Sequence, residues 1–144
     1  NFKGRDGCRT PMPWSDAELS GFSSGRPWLP IPAEHRAMSV QAQEADGDSV
    51  LHAFRAFMAW RKTQPALVGG AIRFLDSAEP VLMFERELEG EVLLLAFNLS
   101  TAPVRHALPL GEWQALALPG PVAGQVEDGE LVLPAHAVYC ARRG

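Results

Sequence analysis

Cysteine is scarce: Cys8 and Cys140 are the only two in 144 residues. They are too few and too far apart for a disulfide framework or a zinc cluster, and leave at most one bridge open. That usage fits a reducing compartment, so a cytoplasmic location is expected, with the periplasm as the alternative. The four histidines, His35, His52, His106 and His136, share no ligand spacing with each other or with cysteine. No metal site and no cofactor are expected. There is no basic run, and the formal net charge is −4, which gives no electrostatic reason to expect nucleic acid or an anionic membrane as partner. Long apolar runs are missing too. Val92 to Phe97 stops at Asn98, far short of the roughly 20 residues that cross a bilayer. No signal segment is evident, and a chain opening on Asn1 is expected to lack its natural start.

What is present is the composition of an ordinary globular chain of one or two domains, 47% hydrophobic and 21% charged. Residues 1–47 have loop character, with Thr10-Pro11, Met12-Pro13, Arg26-Pro27, Leu29-Pro30 and Ile31-Pro32 and with Gly21 and Gly25 between them. So long a loop carries function or hides an element; Ser39 to Ala45 is expected to add a short helix. Within it, Arg5-Asp6-Gly7-Cys8-Arg9-Thr10-Pro11-Met12-Pro13-Trp14 puts two arginines, a carboxylate and a tryptophan into ten residues. Pro11 and Pro13 remove backbone donors, so this is a shaped loop. Arg5 and Arg9 each offer a planar fork of donors to carboxylates or sugar hydroxyls.

A helix is expected over Asp48 to Thr63. Asp48 or Ser49 can cap it, and Val50, Leu51, Ala53, Phe54, Phe57 and Met58 recur at three- and four-residue spacings that form one apolar face. Arg61 and Lys62 suit its C-terminal dipole, and Pro65 is expected to stop it. Asp46 and Asp48 read as charges at the helix start, not as a catalytic pair. After Gly69-Gly70 the pattern changes to eight short apolar or alternating runs: 71–76, 80–87, 91–99, 103–108, 113–118, 122–126, 130–133 and 137–142. Glu89-Gly90-Glu91 and Glu127-Asp128-Gly129-Glu130 look like hairpin turns. The reading is a small antiparallel β-sandwich, with a domain boundary near Gly69 that divides the chain into 1–68 and 69–144. Neither part has the means to bury all its apolar surface by itself, and Phe54, Phe57 and Met58 are expected to lie open without further chain. Asn98-Leu99-Ser100 matches a glycosylation acceptor, a pattern common by chance, and is set aside.

The motif Arg5-Asp6-x-x-Arg9-Thr10-Pro11-Met12-x-Trp14 is followed in order by Gly21-Phe22-Ser23, Pro27-Trp28-Leu29-Pro30, Val40-x-x-Gln43 and Ser49-Val50-Leu51. Trp60-Arg61-Lys62-x-x-Pro65-Ala66-Leu67 and Phe97-Asn98-Leu99-Ser100 continue it. This series resembles the bacterial α-glucosidase and oligo-1,6-glucosidase branch of glycoside hydrolase family 13, over nearly the whole chain. The resemblance implies a mixed fold: the final loop and last helix of a (β/α)8 barrel, followed by the antiparallel β-sandwich. It places the chain at the C-terminal end of a longer enzyme, whose upstream barrel is then the expected partner and whose substrate is an α-glucoside or maltooligosaccharide.

The resemblance also implies roles. In those enzymes the arginine directly before Thr-Pro reaches the floor of the pocket for the non-reducing glucose, where it pairs with a carboxylate from an early barrel loop; here that residue is Arg9. Arg5 is a second substrate-binding candidate, and Asp6 and Trp14 are candidates for lining the pocket. For Trp14 and Trp28, packing in the loop is the expected role over stacking on a sugar. Trp60 and Trp113 are expected to be buried. Retaining hydrolysis needs two carboxyl groups roughly 5 to 5.5 Å apart, and in the resembled enzymes the nucleophile, the acid and a stabilising aspartate lie upstream. The segment alone is therefore expected to have no catalytic residue and no activity. Two rival readings stand beside this one: a glucosyl-transferring or isomerising relative such as trehalose synthase, and a non-catalytic carbohydrate-binding or scaffold module.

Overall fold

Three consecutive N–H groups at the start of a short helix decide how the first part of the chain is arranged. In this computed structural model, which describes residues 4–120 and 122–144, α1 spans Val40–Ala45, within the expected Ser39 to Ala45. The first N–H groups of any helix lack partners within it. Here Val40 donates to the Pro13 carbonyl and Gln41 to the Trp14 carbonyl, both at 3.0 Å, and Ala42 donates to the hydroxyl of Ser39, the buried N-cap, at 3.2 Å. The helix start thus pins the Pro13-Trp14 stretch. Gln43 then carries the order forward. Its side-chain amide donates to the Met38 carbonyl (2.9 Å), its Oε1 accepts from Leu51 N–H (3.1 Å), and its own carbonyl accepts from the Ser49 hydroxyl (2.7 Å).

Helix α2, Val50–Lys62, falls within the expected span. Ser49 caps it, its hydroxyl accepting from His52 N–H at 3.4 Å. Asp46 Oδ1 accepts from Asp48 N–H at 3.0 Å, an Asx turn that leads into the helix. No residue of α2 is buried: Val50 and Phe54 are exposed, and Phe57 and Met58 are half-buried. Pro65 does more than end this helix. It is the first residue of α3, Pro65–Gly69, where its missing N–H costs nothing and its fixed φ suits the helix.

The chain divides into two compact units between Phe54 and Arg55. Among the described residues, the second contains all eight strands: β1 Ala71–Phe74, β2 Val81–Leu88, β3 Glu91–Asn98, β4 Val104–Ala107, β5 Trp113–Ala115, β6 Gln125–Glu127, β7 Glu130–Leu133 and β8 Val138–Arg143. Each overlaps its expected run, although β5 ends three residues early and β6 starts three residues late. One sheet has the order β1-β2-β3-β8-β5, the other β4-β7-β6, and every ladder is antiparallel. The β2-β3 and β6-β7 hairpins turn at Glu89-Gly90 and Asp128-Gly129. All four residues have positive φ, as the two-residue turn that matches strand twist requires.

Between the sheets lies a core of Val81, Met83, Leu94, Ala96, Tyr139 and Ala141 from the larger sheet against Leu131 and Leu133 from the smaller. The opposite face of the larger sheet, with Leu93, Leu95 and Cys140, is covered by Ala66 and Leu67 of α3 and by Trp60. Strand β3 is therefore buried on both faces, which is why it reads as an unbroken apolar run where a half-exposed strand would alternate. Full burial of each of these leucines is worth about 1.5–3 kcal/mol. One charge enters the core side. Glu85 is 5% exposed, its carboxylate paired with Arg73 on the neighbouring strand and with Arg143 at 2.8 Å. Arg143 in turn lies over the Trp113 ring, 4.8 Å from its centroid. Among the described residues, no helix is long and apolar enough to cross a membrane.

Candidate functional site

The Arg5–Trp14 segment opens with a single 3-10 turn at Asp6–Cys8. Cys8 N–H and Sγ both reach the Arg5 carbonyl, at 3.2 and 2.9 Å, and Arg9 N–H donates to the Asp6 carbonyl at 3.0 Å. The turn sets Arg5 and Arg9 at its two ends. Both guanidiniums and the Asp6 carboxylate are exposed, and among the described residues none of the three is in an ion pair. The arginines are thus not used up in bracing their own loop.

Further along, Trp14 and Ser15 both donate to the Ser20 carbonyl (2.9 and 3.1 Å). Leu19, Ser20 and Gly21 are successively left-handed, with φ of 51°, 55° and 65°. Only glycine adopts that conformation freely. At Gly21 a Cβ would also meet the Ser15 hydroxyl at 2.7 Å, so no other residue fits there without rearrangement.

Hollows open in this unit among the described residues. One, of about 470 Å³, is walled by Asp6, Gly7, Thr10, Leu29, Pro30, Pro32 and His35. Another is bordered by Glu18, Arg26 and Arg36 and shares Leu29 and Pro30 with the first. Of the four expected site residues, only Asp6 lines the first hollow; Arg5, Arg9 and Trp14 stand outside its lining. His35 was not singled out by the sequence, because no spacing connects it to Asp6 across 28 intervening residues of irregular chain. Trp14 is 50% exposed and Trp28 81%, so the expectation that Trp28 packs within the loop is corrected: its neighbour Leu29 is the buried anchor. Trp60 and Trp113 are half-buried.

Chemically the first hollow offers a hydroxyl, an imidazole and one carboxylate among largely apolar walls, with the guanidiniums of Arg5 and Arg9 outside its lining. It can hold a polar ligand, but the lining contains a single carboxylate, not the pair that retaining hydrolysis needs. Among the described residues, no three His, Cys, Asp or Glu side chains come together as a metal site.

Comparison with known proteins adds the family. Residues 1–70 match the family described as the α-amylase catalytic domain, and residues 73–140 match a domain family of unknown function, DUF3459. A probable α-glucosidase of Rhizobium meliloti (strain 1021) is 42% identical over 142 residues, 99% of this chain and 26% of that protein. This chain belongs to the α-amylase family of glycoside hydrolases. Within the family, an oligo-1,6-glucosidase of Parageobacillus thermoglucosidasius is 33% identical over 109 residues, 75% of this chain and 19% of its own length. The crystal structure of an α-glucosyl transfer enzyme superposes with a TM-score of 0.94 at 58% identity, covering 99% of this chain and 27% of that one. The chain spans about a quarter of the length of the α-amylase family relatives it matches. It comprises part of the α-amylase catalytic domain followed by an antiparallel β domain.

Proposed function

We propose that these residues are the C-terminal part of a retaining α-glucosidase that releases terminal α-linked glucose from oligosaccharides. The observation that carries this is the 42% identity to a probable α-glucosidase along 99% of the chain. In this reading the division falls at 1–68 and 69–144. The first part supplies pocket wall, and the second stabilises the barrel. The nucleophile and the acid lie on earlier strands of the barrel, so bond cleavage through a covalent glucosyl intermediate belongs to that upstream partner.

Arg9 holds the terminal glucose through a barrel carboxylate, Arg5 adds donors beside it, and Asp6 and Trp14 line the pocket. The unpaired guanidiniums support these roles, since each has its full fork of donors available. The open thiol of Cys8 fits a reducing compartment such as the cytoplasm.

The test is the full-length protein with maltose and isomaltose, following products and anomeric configuration. Release of glucose as the α-anomer supports the reading; no turnover of any α-glucoside overturns it. A second reading, glucosyl transfer, is favoured by the 58% identity to an α-glucosyl transfer enzyme. It predicts that an added alcohol or sugar acceptor takes most of the glucosyl groups in place of water.

A further inference from the structure

We propose that Gln43 is a positioning residue for substrate binding, acting through the loop that carries Arg9. Its role depends on the α-glucosidase reading above. Gln43 itself is in the lining of neither hollow, so it acts by holding other residues and not by touching sugar.

Arg9 stands at the end of a stiff arm. Pro11 and Pro13 fix φ, and each restricts the residue before it, so Thr10 and Met12 have few conformations open. The direction of Arg9 is therefore set by whatever holds Pro13 and Trp14. Helix α1 does so: the Pro13 and Trp14 carbonyls accept from the N–H groups of Val40 and Gln41, each at 3.0 Å. Yet α1 has six residues, too few for a helix to be stable by itself. Its place comes from contacts outside the helix.

Gln43 supplies them. Its side-chain amide donates at 2.9 Å to the carbonyl of Met38, the last residue of the 3-10 helix Ala33–Met38 that brings His35 to the first hollow. Its Oε1 accepts from Leu51 N–H in the first turn of α2 at 3.1 Å, and its backbone carbonyl accepts from the Ser49 hydroxyl at 2.7 Å. Leu51 N–H is one of the groups at a helix start that have no partner within the helix, so the amide meets a need that α2 leaves open. One half-buried side chain thus ties α1 to the segments before and after it, and through α1 the arm that ends in Arg9. A carboxylate at this position could accept from Leu51 but not donate to Met38, and a hydrocarbon could do neither.

The experiment is a double-mutant cycle in the full-length enzyme with maltose. Asn98→Ala, which removes a buried amide from the β domain, is the control for lowered stability. Gln43→Ala is expected to lower kcat/KM about tenfold, chiefly in kcat, because a misdirected Arg9 loses a contact made in the transition state. In an Arg9→Ala background the same change is expected to cost less than about threefold, since the group it directs is already gone. Gln43→Glu keeps the acceptor for Leu51 and is expected to show a smaller loss that also shrinks in the Arg9→Ala background; it decides the question should the alanine variant fail to fold. Equal fold losses in both backgrounds overturn the proposal. So does a loss no larger than that of Asn98→Ala, or a Gln43→Ala enzyme with wild-type kinetics. A wild type that turns over no α-glucoside sinks the α-glucosidase reading and Gln43 with it, whereas an active wild type, a damaged Arg9→Ala and additive losses sink only the role of Gln43.

Discussion

The side-chain oxygen of Asn98 accepts both the N–H and the hydroxyl of Ser100, at 2.9 and 2.8 Å. The same amide donates to the carbonyls of Ala102, Leu133 and Pro134 at 2.7, 3.2 and 2.9 Å, so one side chain at 2% exposure links the end of β3 to the turn after β7. Asn98-Leu99-Ser100 is thereby explained as a structural knot, and its amide nitrogen has no room to carry a glycan.

Because those carbonyls are partly or fully shielded from water, losing the amide leaves several of them without a donor. Each costs about 1–3 kcal/mol, less than additively. Asn98→Ala is therefore expected to destabilise the protein by about 3 kcal/mol in urea denaturation. Asn98→Asp should be at least as harmful, since it turns the donor toward three carbonyls into a negative charge. A change below 1 kcal/mol for both would contradict the knot.

Gly69 and Gly70 are adjacent and should behave oppositely. A Cβ at Gly70 would lie 2.6 Å from the carbonyl oxygens of both Ala66 and Glu87, so α3 and β2 pass too close for any side chain, and the Ala66 oxygen is held in place by Gly70 N–H at 3.0 Å. Nothing lies within 4 Å of a Cβ at Gly69. Gly70→Ala is expected to cost about 2–3 kcal/mol through forced backbone shift, and Gly69→Ala to be neutral or slightly stabilising. Paired thermal melts decide it.

Much of the fold was legible because its signals are local. The eight strands announced themselves by short apolar runs between turn residues, and Glu89-Gly90 and Asp128-Gly129 by turn chemistry. The helix at Val50–Lys62 did so by spacing and the Ser49 cap. What stayed hidden depends on contacts distant in sequence. Pro65 reads equally as the end of one helix and the start of another, and the buried face of α3 was what decided for a start. Gln43 gave no sign that it would cap α2 across eight residues. The site was legible only in part: Asp6 was found through its motif, whereas His35 and Leu29 reach the same hollow along an irregular path that no periodicity encodes. Trp28 and Leu29 were indistinguishable as anchors until their exposures were seen.

The two thiols should respond differently to reagents and to pH. Cys8 is exposed and Cys140 buried, and burial pushes the Cys140 thiol from its ordinary 9.0 up to about 12. At pH 8 one equivalent should react with a thiol reagent in the folded protein and two in denaturant. The folded-state value lies above the unfolded one, so the folded state keeps a proton that the unfolded chain releases. This contribution to stability is complete below about pH 9 and is lost as pH rises toward 12. Cys140→Ala should flatten that part of the stability profile; an identical decline in both proteins would assign it to other groups.

Arg9 provides the decisive test of the pocket. Its guanidinium is exposed and in no ion pair among the described residues, so removing it breaks little within this segment, and stability should stay within about 0.5 kcal/mol. If it instead holds the terminal glucose through a barrel carboxylate, Arg9→Ala in the full-length enzyme removes a charge-assisted contact that strengthens as the transition state forms. A loss of about 100-fold in kcat/KM for maltose is then expected. Arg9→Lys should recover only part, because an ammonium cannot reproduce the two-pronged fork. Arg105, exposed and paired with Glu127 and Glu130 on the smaller sheet, is the matched control, and Arg105→Ala should leave turnover within a factor of two. If Arg9→Ala behaves like that control in both kcat and KM, the arginine is an ordinary surface residue and the pocket wall must be sought elsewhere in the loop.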